Sequence, residues 1–176
     1  MKKLFALTLL SFALLFSTSM QAQDEKAKRP SAPAKVSETL ASGATVSIDY
    51  SRPSLKGRTI GKDVEPMEGK IWRAGANEAT VFETDKDVTV EGKALPAGKY
   101  ALFMISGADA WTLIFNKEWK TWGAYDYEKN KEKDALQVSV KPSKVDKSAE
   151  TLTYTIDKSG KVSLLWGNTV VDFNVQ

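Results

Sequence analysis

The residues of this sequence best suited to chemistry fall in two neighbouring stretches. Arg73, Asn77 and Glu78 stand around Gly75-Ala76 in the run from Trp72 to Glu78, and Arg52, Lys56 and Arg58 precede them. Small residues let a backbone approach a ligand closely, while arginine and asparagine offer several donors to a planar or anionic group. In this reading Arg73 grips a carboxylate, a phosphate or a sugar diol. Asn77 fixes its orientation, and Glu78 accepts bonds from hydroxyls or holds Arg73 in place. Trp72, Trp122 and Tyr125 add aromatic surface, which stacks against sugar rings where it is exposed. The same residues equally suit an internal network in which Arg73 pairs with Glu78 to pin a long loop, because buried polar groups must be satisfied whether or not they bind anything.

The composition removes most other chemistry. With no Cys and no His in 176 residues, there is no disulfide, thiolate nucleophile, imidazole base, or zinc or copper site of the usual N/S kind. No metal and no cofactor is expected. No Ser lies three residues before a Lys, no two glycines lie two apart, and no Gly-Lys pair precedes Ser or Thr. The Ser-x-x-Lys, G-x-G-x-x-G and P-loop motifs are therefore missing. Carboxylate chemistry survives, and a hydrolase acting on glycans through Glu78 with Asp126 is the alternative to a binder. Asn77-Glu78 also matches the acid/base pair of some barrel glycosidases, but that fold needs roughly 250 residues. Asp126-Tyr127-Glu128-Lys129-Asn130 alternates oxygen ligands as calcium loops do. Lys131 and Gln137 stand where an EF-hand needs Gly and Glu, so a solvated charged loop is the simpler reading.

These residues need a scaffold, and its dominant signal has period two. Thr45 to Tyr50, Asp87 to Glu91, Ala135 to Val140, Thr151 to Ile156, Val162 to Trp166 and Val170 to Val175 each alternate or nearly so. Lys99 to Ser106 is more continuously apolar, as a strand covered on both faces would be. Trp111 to Phe115 follows a Ser-Gly-Ala-Asp turn, and Asp157 to Gly160 and Gly167-Asn168 read as turns between the last three strands. The expectation is all-β: a single antiparallel β-sandwich of about nine strands, covering 36–176. Lys117 to Lys133 suits a short helix or an ordered loop. Leu55 to Gly75 reads as one long irregular loop, which is often functional when ordered.

The N-terminus carries the tripartite pattern of a secretory signal peptide. A basic Met1-Lys2-Lys3 precedes an apolar Leu4–Phe16 stretch too short to span a bilayer, and small residues lead to an expected cleavage after Ala22. No cysteine follows, so the protein is not expected to be a lipoprotein. It is placed in the periplasm or outside the cell, with no transmembrane segment in the mature chain. Residues 23–35, with Pro30 and Pro33, read as a disordered polar linker. A formal charge of +3 is too small to argue for nucleic acid.

Three stretches carry a resemblance: Tyr50-Ser51-Arg52-Pro53-Ser54-Leu55-Lys56-Gly57-Arg58, Trp72-Arg73-Ala74-Gly75-Ala76-Asn77-Glu78-Ala79-Thr80, and Leu95-Pro96-Ala97-Gly98-Lys99-Tyr100-Ala101-Leu102-Phe103. Together with Trp111–Asn116 and Trp122-Gly123-Ala124-Tyr125, they make the chain similar to the bacterial domain of unknown function 2911 family. The similarity runs from about Val36 to the C-terminus. It implies an exported protein of the Bacteroidetes type, and it transfers no catalytic residue. The leading expectation is a sandwich that binds a small polar ligand of the cell envelope, carbohydrate or anionic. Its loops Arg52–Arg58 and Trp72–Glu78 would meet at one end, with Trp122 or Tyr125 as a wall. A purely structural or protein-interaction module is the third reading.

Overall fold

A computed structural model describes residues 28–176. The signal peptide expected over 1–22 lies outside the described residues, as does the start of the expected linker. Eleven strands follow one another, where the sequence predicts about nine: β1 (Ala32–Thr39), β2 (Thr45–Arg52), β3 (Ile71–Trp72), β4 (Thr80–Thr84), β5 (Val88–Val90), β6 (Lys93–Leu95), β7 (Gly98–Ile105), β8 (Trp111–Asn116), β9 (Asp134–Val140), β10 (Ser143–Ile156) and β11 (Lys161–Asn174). Among the described residues there is one short helix, α1 (Tyr127–Asn130), which runs into a 3₁₀ turn at Lys131–Lys133 just before β9.

The larger sheet has the order β1-β2-β4-β7-β8-β9, all antiparallel, and β3 pairs with β7 beyond the end of β4. The second layer is built on the β10–β11 hairpin. It is widened by the β5–β6 hairpin, which joins β11 through the Val90–Val175 bridge and reciprocal bonds between Thr89 and Gln176. Beyond β2 the chain crosses to the second layer, where Leu55 N–H donates to Glu150 O and Leu152 N–H to Pro53 O. A two-layer antiparallel sandwich results, as expected.

Alternation explains the core. Val46, Ile48 and Tyr50 of β2, Phe82 of β4, Leu102 and Met104 of β7, and Leu113 and Phe115 of β8 point inward and meet Leu152, Tyr154, Leu164, Trp166 and Phe173 of the hairpin. Phe115 links the layers edge to face, with centroids 5.1 Å from Phe82 and 6.2 Å from Phe173. The opposite face of β7 and β8 presents Ala101, Phe103 and Ile114, covered by Tyr127 with Trp119 and Ala124 packed alongside. That second covering is why Lys99–Ser106 reads as continuously apolar.

Two expectations need correction. β1 begins at Ala32, inside the stretch read as a disordered linker, and Ala32 to Lys35 pair with Arg52 to Asp49. Pro33 hid this strand, yet proline is compatible with an edge strand. Gly167-Asn168 is no turn either: β11 passes through it as a bulge, with Gly167 at φ +58° and paired to Ala149. The positive φ is what favours glycine there; a Cβ would meet only the movable end of the Ile60 side chain.

Candidate functional site

The 72–78 turn is built around its small residues. Ala74 and Asn77 adopt left-handed φ of +54° and +59°, which is costly for residues other than glycine and tolerated best by Asn. The turn is held by Trp72 Nε1–H to Gly75 O at 3.1 Å, and by Thr80 Oγ1–H and Tyr154 O–H to Ala74 O at 3.0 and 2.9 Å. Burial pushes the Tyr154 phenol well above its ordinary value, so it remains a donor. The segment 121–123 then zips onto the turn: Ala79 N–H donates to Thr121 O, Gly123 N–H donates to Asn77 O, and Glu78 and Trp122 form an antiparallel bridge.

Arg73 lies within this assembly. Its Nε is buried and has no hydrogen-bond partner among the described residues. Its Nη1 reaches Gly123, where a Cβ would stand 2.9 Å away and where φ is +66°. Arg73 also lines a cavity of about 340 Å³ together with Arg58, Trp72, Gly75 and Ala76 from the loops singled out in the sequence. Asp63 and Glu65 border the same cavity, but their carboxylates accept from the loop amides of Thr59 and Met67 at 2.9 Å each. Arg58 is likewise engaged, donating through Nε to Leu55 O and through Nη2 to Ser54 O. Of the cavity's charged groups, Arg73 is the one without such an engagement among the described residues.

The other nominated residues separate. Arg52 turns inward, donating to Leu152 O and to Thr153 Oγ1 at 2.9 Å, and so clamps β2 to β10. Lys56 is exposed, with its backbone N–H on Glu150. Asn77 Nδ2 donates to Ser31 O and ties down the entry to β1. Trp72 is 2% exposed, part of the core edge to face with Trp111 as well as a cavity wall. Glu78 does not pair with Arg73. Its carboxylate takes Arg29 Nη1 on both oxygens, at 3.0 and 2.9 Å, and Arg29 stands over the Trp122 ring at 5.8 Å.

Trp122 and Tyr125 remain largely in water, 54% and 77% exposed. Trp122 borders Ala79 and Val81 on the outer face of the larger sheet, whereas the Tyr125 ring lies against Gly123, where Arg73 Nη1 also reaches. Asp126 bonds Lys129 at 3.0 Å at the start of α1, and no bond among described residues links it to Glu78. Arg29 was missed because it stands in a stretch without periodicity, where no local signal marks a long-range ion pair. Among the described residues no helix is long and apolar enough to cross a membrane.

Residues 31–175 match the family model described as Protein of unknown function (DUF2911). The chain belongs to this family. No curated protein and no solved structure matches it.

Proposed function

We propose that this member of the family is an exported binding module, and that its ligand is a small molecule bearing a carboxylate or phosphate, held by Arg73. The observation that carries the reading is the state of that guanidinium: a buried Nε without a partner, in a side chain that borders a cavity of about 340 Å³. Leaving a buried charged donor unmade costs more than an ordinary hydrogen bond gains, so an acceptor supplied from outside has a direct energetic reward. A planar anion meets the guanidinium fork with two parallel bonds, and Trp72, Gly75 and Ala76 leave room beside it. A hydrolase is less well supported. Glu78 is ion-paired with Arg29 and Asp126 with Lys129, and no bond among the described residues brings the two carboxylates together across a common cavity.

Thermal unfolding in inorganic phosphate and in succinate tests the reading. At about 100 times Kd a ligand stabilises by about 2.7 kcal/mol, roughly 5–10 °C for a domain of ~150 residues. Arg73→Lys keeps the charge but loses the fork and should abolish most of that shift. If neither anion raises the wild-type Tm and Arg73→Lys merely melts lower, Arg73 is structural.

A further inference from the structure

The outer face of the larger sheet carries a second feature that the anion cavity does not use. Ala79 and Val81 form the floor shared by two adjoining hollows, of about 350 Å³ and 220 Å³. The larger is walled by Trp119 and Trp122 with Lys120 and Thr121 on its rim, and the smaller runs on towards Tyr50 and Pro33. Glu78 borders both, and its partner Arg29 borders the smaller, so the Arg29–Glu78 pair stands where the two meet.

We propose that this groove is a glycan subsite that takes a neutral pyranose ring in the hollow between Trp119 and Trp122, with the next sugar lying beyond the Arg29–Glu78 pair. Size permits it, since small-molecule sites span roughly 300–1,000 Å³. The walls select it. A pyranose presents a flat C–H face that packs on an indole, and Trp122 keeps over half its surface in water although Trp72, Trp111 and Trp166 are buried. The floor suits it because Ala79 and Val81 are short enough to let a ring lie close to the sheet.

The Arg29–Glu78 pair fits hydroxyls rather than a net charge, while Lys120 and Lys99 stand over the Trp119 ring at 5.0 and 5.3 Å and leave Trp122 as the stacking wall. Arg29 uses Nη1 for both oxygens of Glu78. Its Nη2 and Nε make no hydrogen bond among the described residues and remain as two parallel donors, the spacing that vicinal hydroxyls match. The glutamate compensates the guanidinium, so the pair offers direction without net attraction for an anion. Arg29 is itself held over the Trp122 ring, which fixes donor and stacking surface relative to one another.

Titration calorimetry of the protein with cellotriose, mannotriose and chitotriose tests this, with a uronic-acid trimer as the charged counterpart. At least one neutral trisaccharide should bind. Trp122→Ala should weaken it at least tenfold, Trp122→Phe by less, and Arg29→Gln severalfold, whereas Arg73→Lys should leave it unchanged. Trp122 is half in water, so its replacement leaves the core intact, and circular dichroism of each variant verifies this. The proposal is overturned if no neutral trisaccharide binds, if Trp122→Ala binds like wild type, or if the uronic-acid trimer binds more tightly than every neutral one. Loss confined to Arg73→Lys would instead assign the sugar to the anion cavity.

Discussion

The two faces of β7 are covered in different ways, and the difference shows where a binding surface arises. Tyr100, Leu102 and Met104 point into the space between the layers, where the whole β10–β11 hairpin seals them. Ala101, Phe103 and Ile105 point outward and are covered by one irregular segment, 117–133, through Trp119, Ala124 and Tyr127. The hairpin reaches across the sheet from β2 to β9. The segment does not: it ends against β4, and on the outward side of β2 Asp49 stays partly accessible. A partial cover leaves a step at its margin, and the Trp119–Trp122 groove lies along that step. The sealed face supplies rigidity, and the half-covered face supplies concavity.

The comparison breaks most visibly in the sealed layer. Phe82 is fully buried against Phe115, and Phe82→Ala should cost about 3–5 kcal/mol because the cavity cannot collapse between two sheets. Urea unfolding measures it; a loss below about 1 kcal/mol would mean that the inner face is no better packed than the outer.

A smaller effect sharpens the outer side. Tyr127 O–H donates to Asp134 Oδ2 at 2.9 Å, and burial, followed by that bond and the Asp134 charge, pushes its phenol far above the ordinary value. The folded state then favours the protonated phenol. This stability is fully present below the unfolded pKa of about 10 and is lost as pH rises above it. Tyr127→Phe should cost about 1 kcal/mol at neutral pH and flatten part of the alkaline loss, leaving the shares due to Tyr154 and Tyr100, whose phenols burial also raises. Denaturant melts between about pH 8 and 11 provide the check; an unchanged alkaline slope in the variant would refute the assignment.

The smallest change belongs to the uncovered strip. Lys35 and Asp49 pair at 2.8 Å across β1 and β2 with about half of each side chain in water. Lys35→Ala should cost less than about 1 kcal/mol, because solvent screens the pair. A larger loss in the same urea assay would show that β1 depends on it.

The strands were legible wherever one face is buried, since burial imposes period two on Thr45–Tyr50 and Thr151–Ile156. β1 was not, because an edge strand half in water needs little apolar pattern and Pro33 suggested a break. The hairpin's length was obscured by Gly167, which signals a turn and a bulge with the same residue type. At the candidate site, the run Trp72–Glu78 identified itself by its small residues between donors. Which of its polar groups would meet which partner was not legible: Glu78 selects Arg29, 49 positions away, and Arg52 selects β10. Such choices follow from layer packing, which local spacing does not encode.

The reciprocal bonds of Thr89 with Gln176, together with the Val90–Val175 bridge, give the second layer a timing constraint. Among the described residues the backbone bonds from β5 to the β10–β11 layer go to residues 174–176, and Phe173 and Val175 are core residues. The pairings of the larger sheet join strands closer together in the sequence, whereas closing the sandwich requires residues 174–176 to reach β5. Until then the inward face of that sheet lies open, a long-range closure of the kind that slows folding. The sandwich is therefore completed by contacts that join distant parts of the chain, whereas the larger sheet is built from nearer pairings.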